Sequence, residues 1–172
     1  FNDYFDLALT GEIYTKGTWG ISAASSYVKR YKFRGNININ YREDVMGEKD
    51  LPDYSIGKNL KISWSHTQDS KANPYQTFSA NVNFSTSGYE TNNINSYYNS
   101  ELLSQNTKSS SISFTQRFPE SPFSISLNVL ATQRTKDSVI NLSLPDITVN
   151  MSRIYPFKRK KAIGKELWYE KI

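Results

Sequence analysis

The sequence predicts an all-β fold built of antiparallel transmembrane β-barrel strands, and three observations lead there. Between Gly35 and Arg42 the chain reads Asn-Ile-Asn-Ile-Asn-Tyr, a strict alternation of amide and apolar residues that recurs along most of its length. A period of two places each set on its own face of a strand. The polar set is drawn from Ser, Thr and Asn more than from Lys and Glu, which suits a wet, enclosed surface such as a barrel lumen. Finally, aromatic residues make up 14% of the chain while the hydrophobic total is only 37% and mean hydropathy is −0.61, whereas soluble cores lean on Leu, Val and Ile. No run approaches the roughly 18 apolar residues of a membrane-spanning helix, so a membrane location is compatible only with strands of about 9–11 residues each.

About eight strands follow from the alternation. The first, at residues 4–15, sets Phe5, Leu7, Leu9 and Ile13 against Asp6, Thr10 and Glu12, and turns at Lys16-Gly17, a tight-hairpin signal. The second, at 18–30, sets Trp19, Ile21, Ala23 and Tyr27 against Gly20, Ser22, Ala24 and Ser26, ending in a basic turn at 32–35. The third is the Asn/Ile strand, after which residues 43–58 read as a long polar link broken by Gly47, Pro52 and Gly57. The fourth carries Leu60, Ile62, Trp64 and His66 opposite Lys61, Ser63, Ser65 and Thr67, before a turn with Asn73-Pro74. The fifth sets Phe78, Ala80, Val82 and Phe84 against Ser79, Asn81, Asn83 and Ser85.

A second long polar link, 87–108, is rich in Asn, Tyr and Ser, and links of that length are uncommon inside compact soluble domains. The sixth strand carries Ile112, Phe114 and Phe118, and a Pro119-Glu120-Ser121-Pro122 turn leads to a seventh with Phe123, Ile125, Leu127 and Val129. In the eighth, Ile140, Leu142 and Leu144 share one parity but Ile147, Val149 and Met151 share the other. A bulge or break at Pro145 reconciles them. The tail at 155–165 is basic, and 168–172 opens a further strand. If the first strand rises from the periplasm, the long links after strands three and five fall on one side and short turns after strands two, four and six on the other, the habit of outer-membrane barrels. The links after strands one and seven are short as well.

Other features read more plainly. Cys is absent, which excludes disulfides and thiolate metal sites. The formal charge is +5, compatible with phosphate-bearing partners or with none. The opening Phe1-Asn2-Asp3, without Met or signal peptide, fits a processed protein or an excised segment. His66 is the one histidine and has no Ser/Asp or metal-ligand partner at a recognisable spacing, so it reads as structural or interfacial. The clusters at 29–32 and 158–161 read as solvated turns without a nucleic-acid fold motif. Asp44, Glu48, Asp50 and Asp53 form an acidic stretch lacking EF-hand spacing. The glycosylation patterns at Asn83 and Asn141 fall in strands. Nothing points to a cofactor or a catalytic set.

Four phrases carry a resemblance. FNDYFDLALTGEIYTKGTW at 1–19, YKFRGNININY at 31–41, KANPYQTFSANVNFSTSGY at 71–89 and SRIYPFKRKKAIGKELWYEKI at 152–172 resemble the LptD family of lipopolysaccharide-assembly outer-membrane proteins, most closely a divergent branch. The resemblance implies a bacterial outer-membrane location and a large barrel closed between its first and last strands. Such a barrel receives lipopolysaccharide from periplasmic bridge proteins, holds a plug lipoprotein inside and releases its cargo sideways. It implies that residues 1–172 are one segment of that barrel, covering early strands, without the N-terminal periplasmic domain, the remaining strands or the cross-linking cysteines of better-studied members.

In that setting Asp6, Thr10, Glu12, Asn36, Asn38, Asn40, Lys61, Asn81 and Asn83 would line the lipopolysaccharide path. Phe5, Leu7, Leu9, Gly11 and Ile13 would mark the first strand as one edge of the lateral gate, with Gly11 weakening it. Trp19, Tyr27, Tyr41 and Trp64 would sit in aromatic girdles facing outer-membrane lipid. Two other architectures share the alternation: an autonomous eight-stranded barrel, which would favour bulky inward residues over the small and amide ones here, and a soluble β-sandwich binding module. A lipid-modifying barrel enzyme is disfavoured because the parity turns His66 away from the polar face.

Overall fold

A computed structural model of the protein describes residues 3–89, 107–134 and 139–154. These form a single antiparallel sheet of nine strands: β1 (Phe5–Ile13), β2 (Trp19–Lys29), β3 (Phe33–Met46), β4 (Ser55–Gln68), β5 (Gln76–Ser85), β6 (Thr107–Arg117), β7 (Phe123–Arg134), β8 (Val139–Leu142) and β9 (Asp146–Met151). β1 to β7 each pair with the next strand in sequence, and β9 pairs with β7 as well, so that β8 and β9 lie end to end along β7. The two edges are β1 and β8/β9, and they do not meet among the described residues. The basic tail, the strand expected at 168–172 and the greater part of the link expected at 87–108 lie outside the described residues.

The turns follow from local chemistry. Gly17 adopts φ +90°, a conformation that glycine enters without a Cβ clash; its N–H donates to the Tyr14 carbonyl at 3.0 Å, and the Tyr14 N–H donates to that of Thr18 at 2.8 Å. The parity conflict near Pro145 resolves as a one-residue shift in register. Ile140 pairs with Gln133 and Leu142 with Ala131, whereas Ile147 pairs with Leu127 and Val149 with Ile125. One extra residue at the break therefore returns both apolar sets to one face. Pro145 has no N–H to give a ladder, so the break falls beside it.

Half of the polar link expected at 43–58 is strand. β3 runs on to Met46 and β4 begins at Ser55, with Glu43 opposite Lys58, Asp44 opposite Gly57 and Val45 opposite Ile56. Charge and glycine suggested a loop, but Val45 and Ile56 keep the two-residue period, and a buried ion pair described below holds the extension. Phe33 and Arg34, expected within a turn, likewise open β3.

Among the described residues no second layer covers this sheet. Ala80 and Tyr89 are the buried apolar residues among those described, while Leu9, Leu142 and Ile147 are 67%, 68% and 62% exposed. A soluble sandwich would bury such a face in its core, so the described sheet does not have that architecture.

Candidate functional site

The register assembles the sequence-predicted polar residues into rows. Asp6, Ser26, Asn36, Ser65 and Asn81 are successive cross-strand neighbours; Asn38, Ser63 and Asn83 form a second row, and Thr10, Ser22, Asn40, Lys61 and Ser85 a third. Glu12, Gly20, Arg42 and Asn59 make a fourth. All of the polar candidates thus share one face. The same chemistry continues through Ser79, Ser113 and Asn128, where the Ser113 hydroxyl donates to Asn128 Oδ1 at 2.8 Å. Because backbone donors and acceptors are consumed by the ladders, this face offers mainly short, uncharged side-chain groups, each able to exchange a weak hydrogen bond.

Phe5, Leu7, Leu9, Gly11 and Ile13 lie on the opposite face of the edge strand β1, in rows with Tyr27, Ser25, Ala23, Ile21 and Trp19. A Cβ built on Gly11 would meet nothing within 4 Å, so its missing side chain leaves a gap in the edge. The four candidate girdle residues share this apolar face and fall in two groups. Trp19 and Tyr41 pack at one end with their rings tilted 54° to each other and centroids 5.5 Å apart. Toward the other end the Tyr27 hydroxyl accepts from Trp64 Nε1 at 2.9 Å and lies 2.9 Å from His66 Nδ1, with Phe33 and Phe78 packed around His66. Sequence reasoning placed His66 on this face but did not foresee the three-residue polar cluster. Gly35 permits it: an added Cβ would lie 2.6 Å from the Ser65 carbonyl oxygen and closer still to the Tyr27 hydroxyl.

Ser25, 7% exposed, sits between Leu7 and Ile37, and its hydroxyl has no hydrogen-bond partner. Burying a hydroxyl unpaired is unfavourable. Ser25→Ala is therefore expected to leave the intact protein at least as stable, gaining up to about 1 kcal/mol. The urea midpoint of the membrane-reconstituted protein measures this; a clear loss would show that the hydroxyl finds a partner.

On the polar face, Arg42 and Asp44 are 6% and 5% exposed. Arg42 Nε lies 2.6 Å from Asp44 Oδ1, and Asn59, 3% exposed, donates through Nδ2 to Asp44 Oδ2 at 2.7 Å. Thr86 Oγ1 donates to Asn59 Oδ1 at 3.4 Å and accepts from the Leu60 N–H at 3.0 Å. The Arg42 guanidinium also lies 5.1 Å from the Tyr14 ring centre. Glycines flank the pair, Gly20 across from Arg42 and Gly57 across from Asp44, so the two side chains can lie flat on the sheet. Asp44 therefore belongs to a strand network and not to the acidic link in which the sequence placed it.

A seam divides β5 from β6. Their ladder runs from Gln76–Gln116 to Asn81–Ser111 and stops, although β5 continues to Ser85 and β6 begins at Thr107. Side chains take over the bridging. Ser110 Oγ accepts from the Asn83 N–H at 2.9 Å and donates to the Asn83 carbonyl at 3.0 Å. Gln133, reaching from β7, accepts from the Ser85 N–H at 3.2 Å through Oε1 and donates to the Ser85 carbonyl through Nε2. No sequence pattern announced this, because Ser and Gln at strand positions ordinarily read as solvated.

On the apolar side of the seam lies a groove of about 250 Å³ lined by Val82, Phe84, Ile112, Val129, Ala131 and Leu142, among others. A second cavity at the seam, of about 440 Å³, is bordered by Lys61, Asn81 and Asn83 of the polar face together with Ile62, Phe84 and Lys108. Lys61 Nζ lies 5.2 Å from the Tyr89 ring centre. Among the described residues no group of His, Cys, Asp and Glu has the arrangement of a metal site.

Comparison with known proteins gives one match. The family model described as LptD protein matches residues 1–172. No curated protein and no solved structure matches the chain. The family is one of outer-membrane β-barrels with a role in lipopolysaccharide transport, and the all-antiparallel sheet with one polar and one apolar face has the construction of a barrel wall. With the match spanning all of its residues, this chain belongs to the LptD family.

Proposed function

We propose that this sheet is one arc of the wall of a larger outer-membrane barrel that moves lipopolysaccharide to the outer leaflet. The observation that carries the reading is the sorting of side chains: amides and hydroxyls in continuous rows on one face, and uncovered Leu, Ile and aromatic residues on the other. The polar face lines the lumen. There Asp6, Thr10, Glu12, Asn36, Asn38, Asn40, Lys61, Asn81 and Asn83 contact the sugar-phosphate portion through hydrogen bonds that exchange with water. Weak, repeated contacts of this kind let a bulky polar headgroup advance without being trapped.

The apolar face meets lipid. The eight residue steps between Trp19 and Tyr27 span roughly 26 Å along the strand, or about 20 Å after a tilt of ~40°, in the range of an apolar band of about 25 Å. Trp19 and Tyr41 then mark one girdle and Tyr27 and Trp64 the other. Edge strand β1 forms one side of the lateral exit, with Gly11 as its weak point. Lipopolysaccharide arrives from periplasmic bridge proteins, and a plug lipoprotein occupies the lumen formed with the remaining strands. The reading includes no enzymatic step.

A photo-cross-linking amino acid introduced in the intact protein, in cells, tests this. At Asn38 or Asn81 it is expected to capture lipopolysaccharide during export, and at Ile39 or Leu9 to capture bilayer lipid instead. Equal capture of lipopolysaccharide from both faces, or none from the polar face, would overturn the lumen assignment.

A further inference from the structure

We propose that the groove on the apolar side of the β5–β6 seam seats one acyl chain of a bilayer lipid; the proposal rests on the membrane-facing assignment of that face. In an uninterrupted ladder, strands stand about 4.8 Å apart and their side chains cover the surface. Here the ladder ends at Asn81–Ser111, and a groove of about 250 Å³ opens between Val82 and Phe84 on one bank and Ile112, Val129, Ala131 and Leu142 on the other.

Three features select the occupant. The polar residues bordering the groove are Ser110 and Gln133, both bonded to the β5 backbone, and Asn83, whose side-chain amide donates to Asn81 Oδ1 and to the Ser109 carbonyl, so the rest of the lining is apolar. The volume falls below the roughly 300 Å³ at which pockets for small molecules begin, which fits one chain and excludes a protein element. The groove also continues the row of Ile62 and Phe84, on the face that carries Leu9 and Ile39. A seated chain packs against side chains that stand in for missing ladder bonds and keeps water from competing for Asn83 and Ser85. The seam is thereby completed by lipid.

The test uses the intact protein in vesicles containing phosphatidylglycerol with a photoactivatable diazirine in its acyl chain, with adducts mapped by peptide mass spectrometry. Adducts are expected to concentrate on the peptides bearing Ala131 and Leu142. Ala131→Trp fills the groove and is expected to lower labelling there by roughly tenfold, the change that about two unseated methylene groups produce, while labelling at Leu9 and Ile39 is unchanged. Ala131→Leu, a milder filling, gives a smaller drop in the same direction and serves if the Trp variant does not fold. Labelling at Leu9 and Ile39 with none in the groove, or groove labelling indifferent to both variants, overturns the lipid seat and leaves the membrane-facing assignment standing. Absence of labelling at all of these positions overturns both.

Discussion

Asp44→Ala is expected to destabilise the intact protein by about 3–5 kcal/mol, the loss that follows removal of one partner from a buried ion pair. Both ends of the Asp44 carboxylate are engaged, one oxygen by Arg42 Nε at 2.6 Å and the other by Asn59 Nδ2 at 2.7 Å. The substitution removes an acceptor from two donors that are themselves 6% and 3% exposed. Asp44→Asn keeps the shape and one acceptor oxygen, so its loss should be smaller. The Arg42→Ala/Asp44→Ala double variant should lose less than the two single losses added together, because the second removal no longer strands a charge. Urea unfolding of the membrane-reconstituted protein, followed by the gel mobility of folded against unfolded forms, measures all four. If Asp44→Asn costs nothing while Asp44→Ala does, the carboxylate charge is not what stabilises the β3–β4 extension.

Gly35→Val is expected to cost about 3 kcal/mol, at the upper end of the usual range for overpacking. The reason is a collision with two partners of different kinds. The Tyr27 ring can swing away, but only by giving up its hydroxyl contacts with Trp64 and His66. The Ser65 carbonyl, 2.6 Å from the new Cβ position, is backbone on the neighbouring strand and moves only if β4 does. Fluorescence gives a second readout: the Trp64 indole loses its acceptor, so its emission should shift while that of Trp19, at the other end of the face, does not. A Val variant with unchanged unfolding and unchanged emission would mean that Tyr27 does not lie over Gly35.

Much of this architecture was legible because the two-residue period is a geometric necessity of strands. The same period runs on past the expected limit of the third strand, where Arg42 shares parity with Asn36, Asn38 and Asn40. The parity conflict at Ile147 is enough by itself to expose the Pro145 break. What composition hid were features depending on cross-strand neighbours. Glu43, Asp44 and Gly57 look like link residues in one dimension, and only pairing puts Gly57 beneath Asp44 and Asn59 beside it. Ser110 and Gln133 reveal their roles only once the β5–β6 ladder is seen to stop. The proposed lumen-lining roles rest on a polar face that is legible in the sequence, but no residue pattern distinguishes a hydroxyl that touches cargo from one that touches water.

The neighbour-to-neighbour strand order bears on how the sheet forms. With β1 to β7 each paired to the next in the chain and β9 returning to β7, each hairpin can zip as soon as its second strand exists, and loop closure stays short at nearly every step. The β5–β6 boundary is the exception: its link, residues 86–106, is the longest, and the ladder it must close ends at Asn81–Ser111. The sheet is thus expected to form as two blocks, β1–β5 and β6–β9, that join late. In hydrogen exchange the two blocks should protect as separate cooperative units, with the amides of Asn83 and Ser85, held by side chains alone, among the first strand positions to exchange.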